Sequence, residues 1–221
     1  MLLLGIVIPS AETQSWYLIT VEVRFKLIKT DTMKEFRLFP LLTLLIFGSL
    51  QMAIAQQLNY KTVDKKGREK LLGKITKEGL QQDSFANWFN PQYENYQVDE
   101  ETVQALRKQL KRYEIKVFLG TWCGDSRREV PRFIRILEAA DFPKENLSII
   151  AVDYEKPFYK KSPGGEEKGL NIVKVPTFIF YKKGAETNRI IEYPVVSLEK
   201  DMAKILKEEG YKPNFSGLKA N

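Results

Sequence analysis

The sequence predicts an α/β fold, a central mixed sheet between helical layers with helices on both faces, preceded by an N-terminal extension. Three observations carry this. The runs "IKVFLG" (115–120) and "LSIIAVD" (147–153) are almost continuously apolar, as in strands covered on both faces. Around them lie segments whose apolar residues recur at helical spacing. Further on, "TFIFYKKGAETNRIIEYP" (177–194) reads as a hairpin turning at Lys182, Lys183 and Gly184. Strands that alternate with helices and end in a hairpin and a helix make a mixed sheet with helical cover.

Taken in order, residues 1–32 are an upstream segment with an apolar patch, "MLLLGIVI", and an alternating stretch, "VEVRFKLI". From Met33 runs "MKEFRLFPLLTLLIFGSLQMAIAQQ", with Lys34 and Arg37 before an apolar stretch and then Ala53, Ile54 and Ala55. A basic start, a short apolar middle and small residues at alternate positions are the parts of a secretory signal over 33–55, cleaved after Ala55. A signal does not ordinarily follow thirty other residues, so Met33 is the expected translation start. The expectation is an exported protein, periplasmic or otherwise extracytoplasmic, with a membrane met only through the signal.

Residues 56–97 read as the extension, with a helix over "REKLLGKITKEGL" (68–80) and the aromatics Phe85, Trp88, Phe89, Tyr93 and Tyr96. Such a cluster is expected to staple the extension to its neighbour rather than form a recognition face. The main domain spans 98–214, followed by a tail, 215–221. Asp99 reads as the cap of a helix bearing Val103, Leu106, Leu110 and Tyr113. The helix after Cys123 lines one face with Val130, Phe133, Ile134, Leu137 and Ala140. Ser197 caps a last helix with Leu198, Met202, Ile205 and Leu206, ended by Gly210.

Composition sharply narrows the chemistry. The 221 residues include no histidine and one cysteine, which removes imidazole-dependent hydrolysis, histidine-ligated zinc and any internal disulfide. The net charge of +7 is spread among interleaved acids and bases, so a solvated mixed-charge surface is expected and no nucleic-acid partner. No cofactor or metal is expected.

What remains is Cys123, in "VFLGTWCGDSRREVPRF" (117–133), at a strand-to-helix junction. At the first turn of a helix, unpaired N–H groups and the positive end of the dipole favour thiolate, the form that attacks disulfides. An inert core cysteine is the alternative. The neighbours Gly124, Asp125, Ser126, Arg127 and Arg128 read as an exposed turn and favour reactivity.

Trp122, Cys123 and Gly124 between a strand and a helix, with Pro131 in that helix, resemble the active-site region of the thioredoxin-like family. "VKVPTFIFYKKGAE" (173–186) resembles the family's cis-proline segment. The resemblance covers roughly Val98 to Gly210 and implies a thioredoxin-like three-layer sandwich. It implies that Pro176 is cis and lies opposite the cysteine, with Val175 and Thr177 beside it in a groove that holds substrate backbone. The pattern departs at Ser126, where a second cysteine would stand, at Asp125, where proline is usual, and at Val117, where a buried acid is usual. The loop after the second strand, containing "KPFYKKSPGGEE", is longer than the family minimum.

The first half of thiol–disulfide exchange survives these departures. Cys123 can attack a disulfide, but release needs a thiol from outside, with the Ser126 hydroxyl a candidate donor to the thiolate. The site expected is catalytic Cys123 and Ser126, with binding residues Trp122, Gly124, Asp125, Val175, Pro176 and Thr177. The function expected is a monothiol oxidoreductase, reducing or isomerising disulfides. Its partners are protein or peptide thiol and disulfide clients and an external thiol or redox partner. The alternative is a redox-inactive thioredoxin-fold module that binds extended peptides. Arg128, Arg132 and Arg135 form a stripe that reads first as a solvated helix face and second as a dock for an acidic partner. Tyr154, Phe158 and Tyr159 in the long loop either contact a client or tuck against their own domain.

Overall fold

The computed structural model describes residues 5–8, 17–20 and 57–220. The signal expected over 33–55 and the stretch 21–28 lie outside the described residues. Two strands near the start, β1 (Gly5–Ile8) and β2 (Tyr17–Thr20), pair antiparallel and form a unit of their own.

The main unit is built on a six-stranded sheet. Its strands are β3 (Tyr60–Val63), β4 (Glu69–Ile75), β5 (Tyr113–Leu119), β6 (Leu147–Ala151), β7 (Thr177–Lys182) and β8 (Ala185–Ile191). They lie in the order β3-β4-β6-β5-β7-β8, with β5 and β6 parallel and every other pair antiparallel. The β7–β8 hairpin turns at Lys183 and Gly184, both at positive φ, the backbone a two-residue turn between twisted strands demands. The helices are α1 (Lys77–Leu80), α2 (Asp83–Glu94), α3 (Glu100–Leu110), α4 (Gly124–Ala139) and α5 (Leu198–Leu206). Asp99 caps α3 by accepting from the Thr102 N–H, and Ser197 caps α5 by accepting from Lys200. The last helix stops at Leu206, short of Gly210.

Alternation along β5 divides the interior. Ile115, Val117 and Leu119 point to one face and join Phe89, Leu106, Phe133, Phe178 and Ile205 in a large apolar core. Phe118 points to the other and joins Ile150, Val152, Ile172, Val175 and Ile179 in a small one. Buried side chains of α2, α3, α4 and α5 belong to the large core. The small core is covered by the connection 152–176, which is turns and coil throughout. The mixed α/β sheet stands as expected, but the second covering layer is loop where helix was expected. The reason is local: Pro157, Pro163, Gly164, Gly165 and Gly169 punctuate that connection, and Lys160, Gly165, Gly169 and Asn171 sit at positive φ, so no helix can propagate.

The extension is part of the sheet. Residues 69–75 form a strand where a helix was expected, because their apolar spacing suits either form and the deciding partner is distant: Ile75 pairs with Ile149. A boundary at Val98 therefore does not divide the structure. The aromatics staple α2 down as expected, with Phe85 and Phe89 buried and Trp88, Tyr93 and Tyr96 packed on the core.

Candidate functional site

Chain direction reverses where β5 ends. The Cys123 N–H donates to the Gly120 carbonyl at 2.9 Å, closing a tight turn. Cys123 then caps α4 with extended backbone, and its own carbonyl accepts the Arg127 N–H at 3.0 Å. Its side chain makes no capping bond, so the first-turn N–H groups keep their positive edge beside the sulfur of a partly buried residue. The Cys123 thiol donates to the Val175 carbonyl oxygen at 3.1 Å, and the Val175–Pro176 bond is cis. Val175 is buried, as is Thr177, whose hydroxyl donates to the Lys174 carbonyl at 2.7 Å. The Glu192 N–H donates to the Pro176 carbonyl at 2.7 Å, tying this segment to the end of β8.

Ser126 occupies a different position from the one its place in the sequence suggested. It is fully buried, and its Oγ accepts the Gly120 N–H at 3.2 Å. The supposed exposed turn is the first turn of α4, and one residue in it faces inward. Ser126 thus braces the turn beneath Cys123, and no bond joins it to the sulfur among the described residues. Gly124 is exposed with open space around it. Asp125 is held by Arg128 at 2.7 Å.

The arginine stripe is engaged within the chain. Arg128 also pairs with Glu129 at 2.6 Å, Arg132 donates to Gln92 and lies over the Tyr96 ring, and Arg135 lies over Tyr93. The solvated-face reading therefore becomes one in which α4 grips α2.

Trp122 folds back over Gly120 so closely that a Cβ there would meet the indole ring at 2.4 Å. Its Nε1 donates to the Val152 carbonyl at 3.0 Å, and its ring packs on Tyr154, with centroids 5.3 Å apart, and on Tyr159 at 6.5 Å. Phe158 and Tyr159 are exposed on the same loop.

Sequence reasoning missed the polar groups behind this tryptophan. Lys70 is buried with its Nζ 2.7 Å from Asp153 and 2.6 Å from Glu155. Burial works against its charge, yet the two carboxylates hold its pKa above the usual lysine value. Asp64 accepts from the Tyr154 hydroxyl, which holds its carboxyl below the usual range, helped by Arg68 and the Lys66 N–H. The signal available was a lysine inside the apolar run "EKLLGKI", which suggests a buried partner only once that run is read as a strand.

Residues 77–204 match the family model described as Thioredoxin. Over 105 residues the chain is 30% identical to a thioredoxin-like protein of Acanthamoeba polyphaga mimivirus, covering 45% of this chain and 67% of that one. Among solved structures it is similar to oxidized thioredoxin O2 of Arabidopsis thaliana, at 23% identity and TM-score 0.30 over 51% of this chain and 85% of that one. It is also similar to thioredoxin f2 of Chlamydomonas reinhardtii, at 19% identity and TM-score 0.31 over 52% and 96%. With the family model matched across more than half of its length, this chain belongs to the thioredoxin family.

Proposed function

We propose that this chain is an exported monothiol exchange protein. The observation that carries the reading is the partly buried Cys123 at the tip of α4, its sulfur 3.1 Å from the Val175 carbonyl oxygen. Cys123 loses its proton to solvent and attacks one sulfur of a client disulfide. The client's S–S bond breaks, a Cys123–client disulfide forms, and the other client sulfur leaves as a thiolate that takes up a proton. A second thiol, from the client or a small molecule, attacks the mixed disulfide, takes the client sulfur into a new disulfide and frees Cys123. Ser126, where family members carry the resolving cysteine, leaves that second step to the outside thiol. Trp122, Gly124, Asp125, Val175, Pro176 and Thr177 are the client-binding residues of this reading, with the buried Val175, Pro176 and Thr177 offering backbone rather than side chain. Export is supported by the sequence over 33–55.

Intact-mass analysis tests the chemistry. With glutathione disulfide, the protein is expected to gain one glutathione on Cys123, and added glutathione should remove it. Ser126→Cys should add the resolving step and gain insulin reduction with dithiothreitol. No adduct on the folded protein, together with peptide binding that survives Cys123→Ser, would replace this reading with that of a binding module. Sequencing the N-terminus of the exported protein is expected to start at Gln56.

A further inference from the structure

β6 ends at Ala151, opposite Gly73, so residues 69–72 of β4 overhang the loop that follows β6. Side chains of the β3–β4 hairpin reach that loop. The Lys70 ammonium, with its side chain 5% exposed, holds both Asp153 oxygens at 2.7 and 2.8 Å and Glu155 at 2.6 Å. Asp153 in turn accepts the N–H groups of Tyr154 and Glu155 at 2.7 and 3.0 Å, folding the loop tightly at the point where Tyr154 projects. The Tyr154 hydroxyl donates to Asp64 and accepts from Arg68 at 2.7 Å, so the hairpin grips both ends of this residue. Separately, the Leu71 N–H donates to the buried Thr121 hydroxyl at 3.3 Å, two residues before Cys123. Tyr154 is thus clamped between the hairpin and the Trp122 ring, and none of Asp64, Arg68, Lys70 or Leu71 lies within the family match at 77–204.

We infer that the β3–β4 hairpin positions the exchange site, Lys70 and Asp64 setting Tyr154 against Trp122 while Leu71 holds Thr121, so that the turn bearing Cys123 keeps one geometry. A buried ammonium among carboxylates is a weak source of net stability, because desolvation offsets its attraction. Its strength is directional: charge-assisted bonds of 2.6 to 2.8 Å fix where the loop lies. These are positioning residues, since none touches the sulfur. The consequence for exchange rests on the function proposed above.

The test compares Tyr154→Phe, Lys70→Met and Lys70→Arg with the parent. Two quantities are read: the rate of glutathione adduct formation at Cys123, and Trp122 emission taken as the difference from each protein's Trp122→Phe counterpart. Tyr154→Phe keeps the ring and loses only the hydroxyl bonds, so it should remain folded, with a midpoint somewhat below the parent's because Asp64 loses that partner. Its adduct rate should still fall by about tenfold, within the ~10²-fold that misplacement by an ångström can cost, and its Trp122 emission should shift. Lys70→Arg should recover part of what Lys70→Met loses. Either readout remaining at the parent's value in folded Tyr154→Phe overturns the inference. If the parent itself forms no adduct, the exchange function fails, and the emission alone then decides whether the hairpin sets Trp122.

Discussion

The two faces of the sheet are built to different standards. One carries helices α1 to α5 and a core that includes Phe89, Phe133, Phe178 and Phe180, all sealed from solvent. The other carries six buried apolar residues under a loop, and its remaining order comes from ions and hydrogen bonds: Lys70 with Asp153, Tyr154 with Asp64, Trp122 with Val152. Cys123 packs on the thin face. Apolar packing is non-directional and tolerates small shifts, whereas bonds of fixed length and angle specify where a loop lies. The thick face provides stability, and the thin face provides geometry.

The largest effect should come from the thick face. Phe133 is fully buried, with its ring 4.3 Å from Phe178 and 6.1 Å from Phe180. Phe133→Ala should cost about 3–5 kcal/mol in urea unfolding. Protein that remains folded should form the Cys123 adduct at close to the parent's rate. A large loss of rate without loss of stability would break the division of labour.

Gly120→Ala probes the thin face. Its Cβ would overlap the Trp122 ring, which must swing away from Val152. Overpacking of this kind costs about 1–3 kcal/mol. The sharper readout is Trp122 emission, expected to shift, with slower adduct formation. An unchanged spectrum would show that the ring has another seat.

How much of this division was legible in the sequence depended on range. The strand "IKVFLG", the helix after Cys123 and the caps Asp99 and Ser197 are decided by residues within a few positions of each other, and they were read correctly. Only family resemblance pointed to the segment around Pro176, whose Val175 carbonyl lies against Cys123. Residues 69–75 were misread because a strand's partner, here β6, is invisible to periodicity. Ser126 was read as exposed because its neighbours are polar, and only helix phase shows that it faces inward. Lys70, Asp153 and Asp64 went unnoticed because they are brought together across some ninety positions of chain.

Acidification should weaken the thin face. Asp64 and Glu155 both have carboxyl groups held below the usual range, Asp64 chiefly by the Tyr154 hydroxyl and Glu155 chiefly by Lys70. A depressed folded pKa contributes stability in full above the unfolded value of about 4, and that contribution is lost as pH falls through the folded value. Melting temperature should therefore decline below about pH 4. Asp64→Asn should lower stability at pH 7 and flatten that decline. An acid limb identical in the variant would remove Asp64 from the account.

The smallest effect should come from charges that look similar on paper. Lys182 bonds Glu208 at 2.7 Å, the same distance as Lys70 to Asp153. The difference is solvent: the Lys182 and Glu208 side chains are 36% and 60% exposed, those of Lys70 and Asp153 5% and 10%. Water screens the first pair and offers both partners replacement hydrogen bonds, so Lys182→Met should cost less than about 1 kcal/mol. Lys70→Met leaves two largely buried carboxylates without their cation, and its melting temperature should fall several times further than that of Lys182→Met. Equal losses at the two sites would mean that the loop over the thin face admits water freely, and burial there would no longer explain how Tyr154 is held.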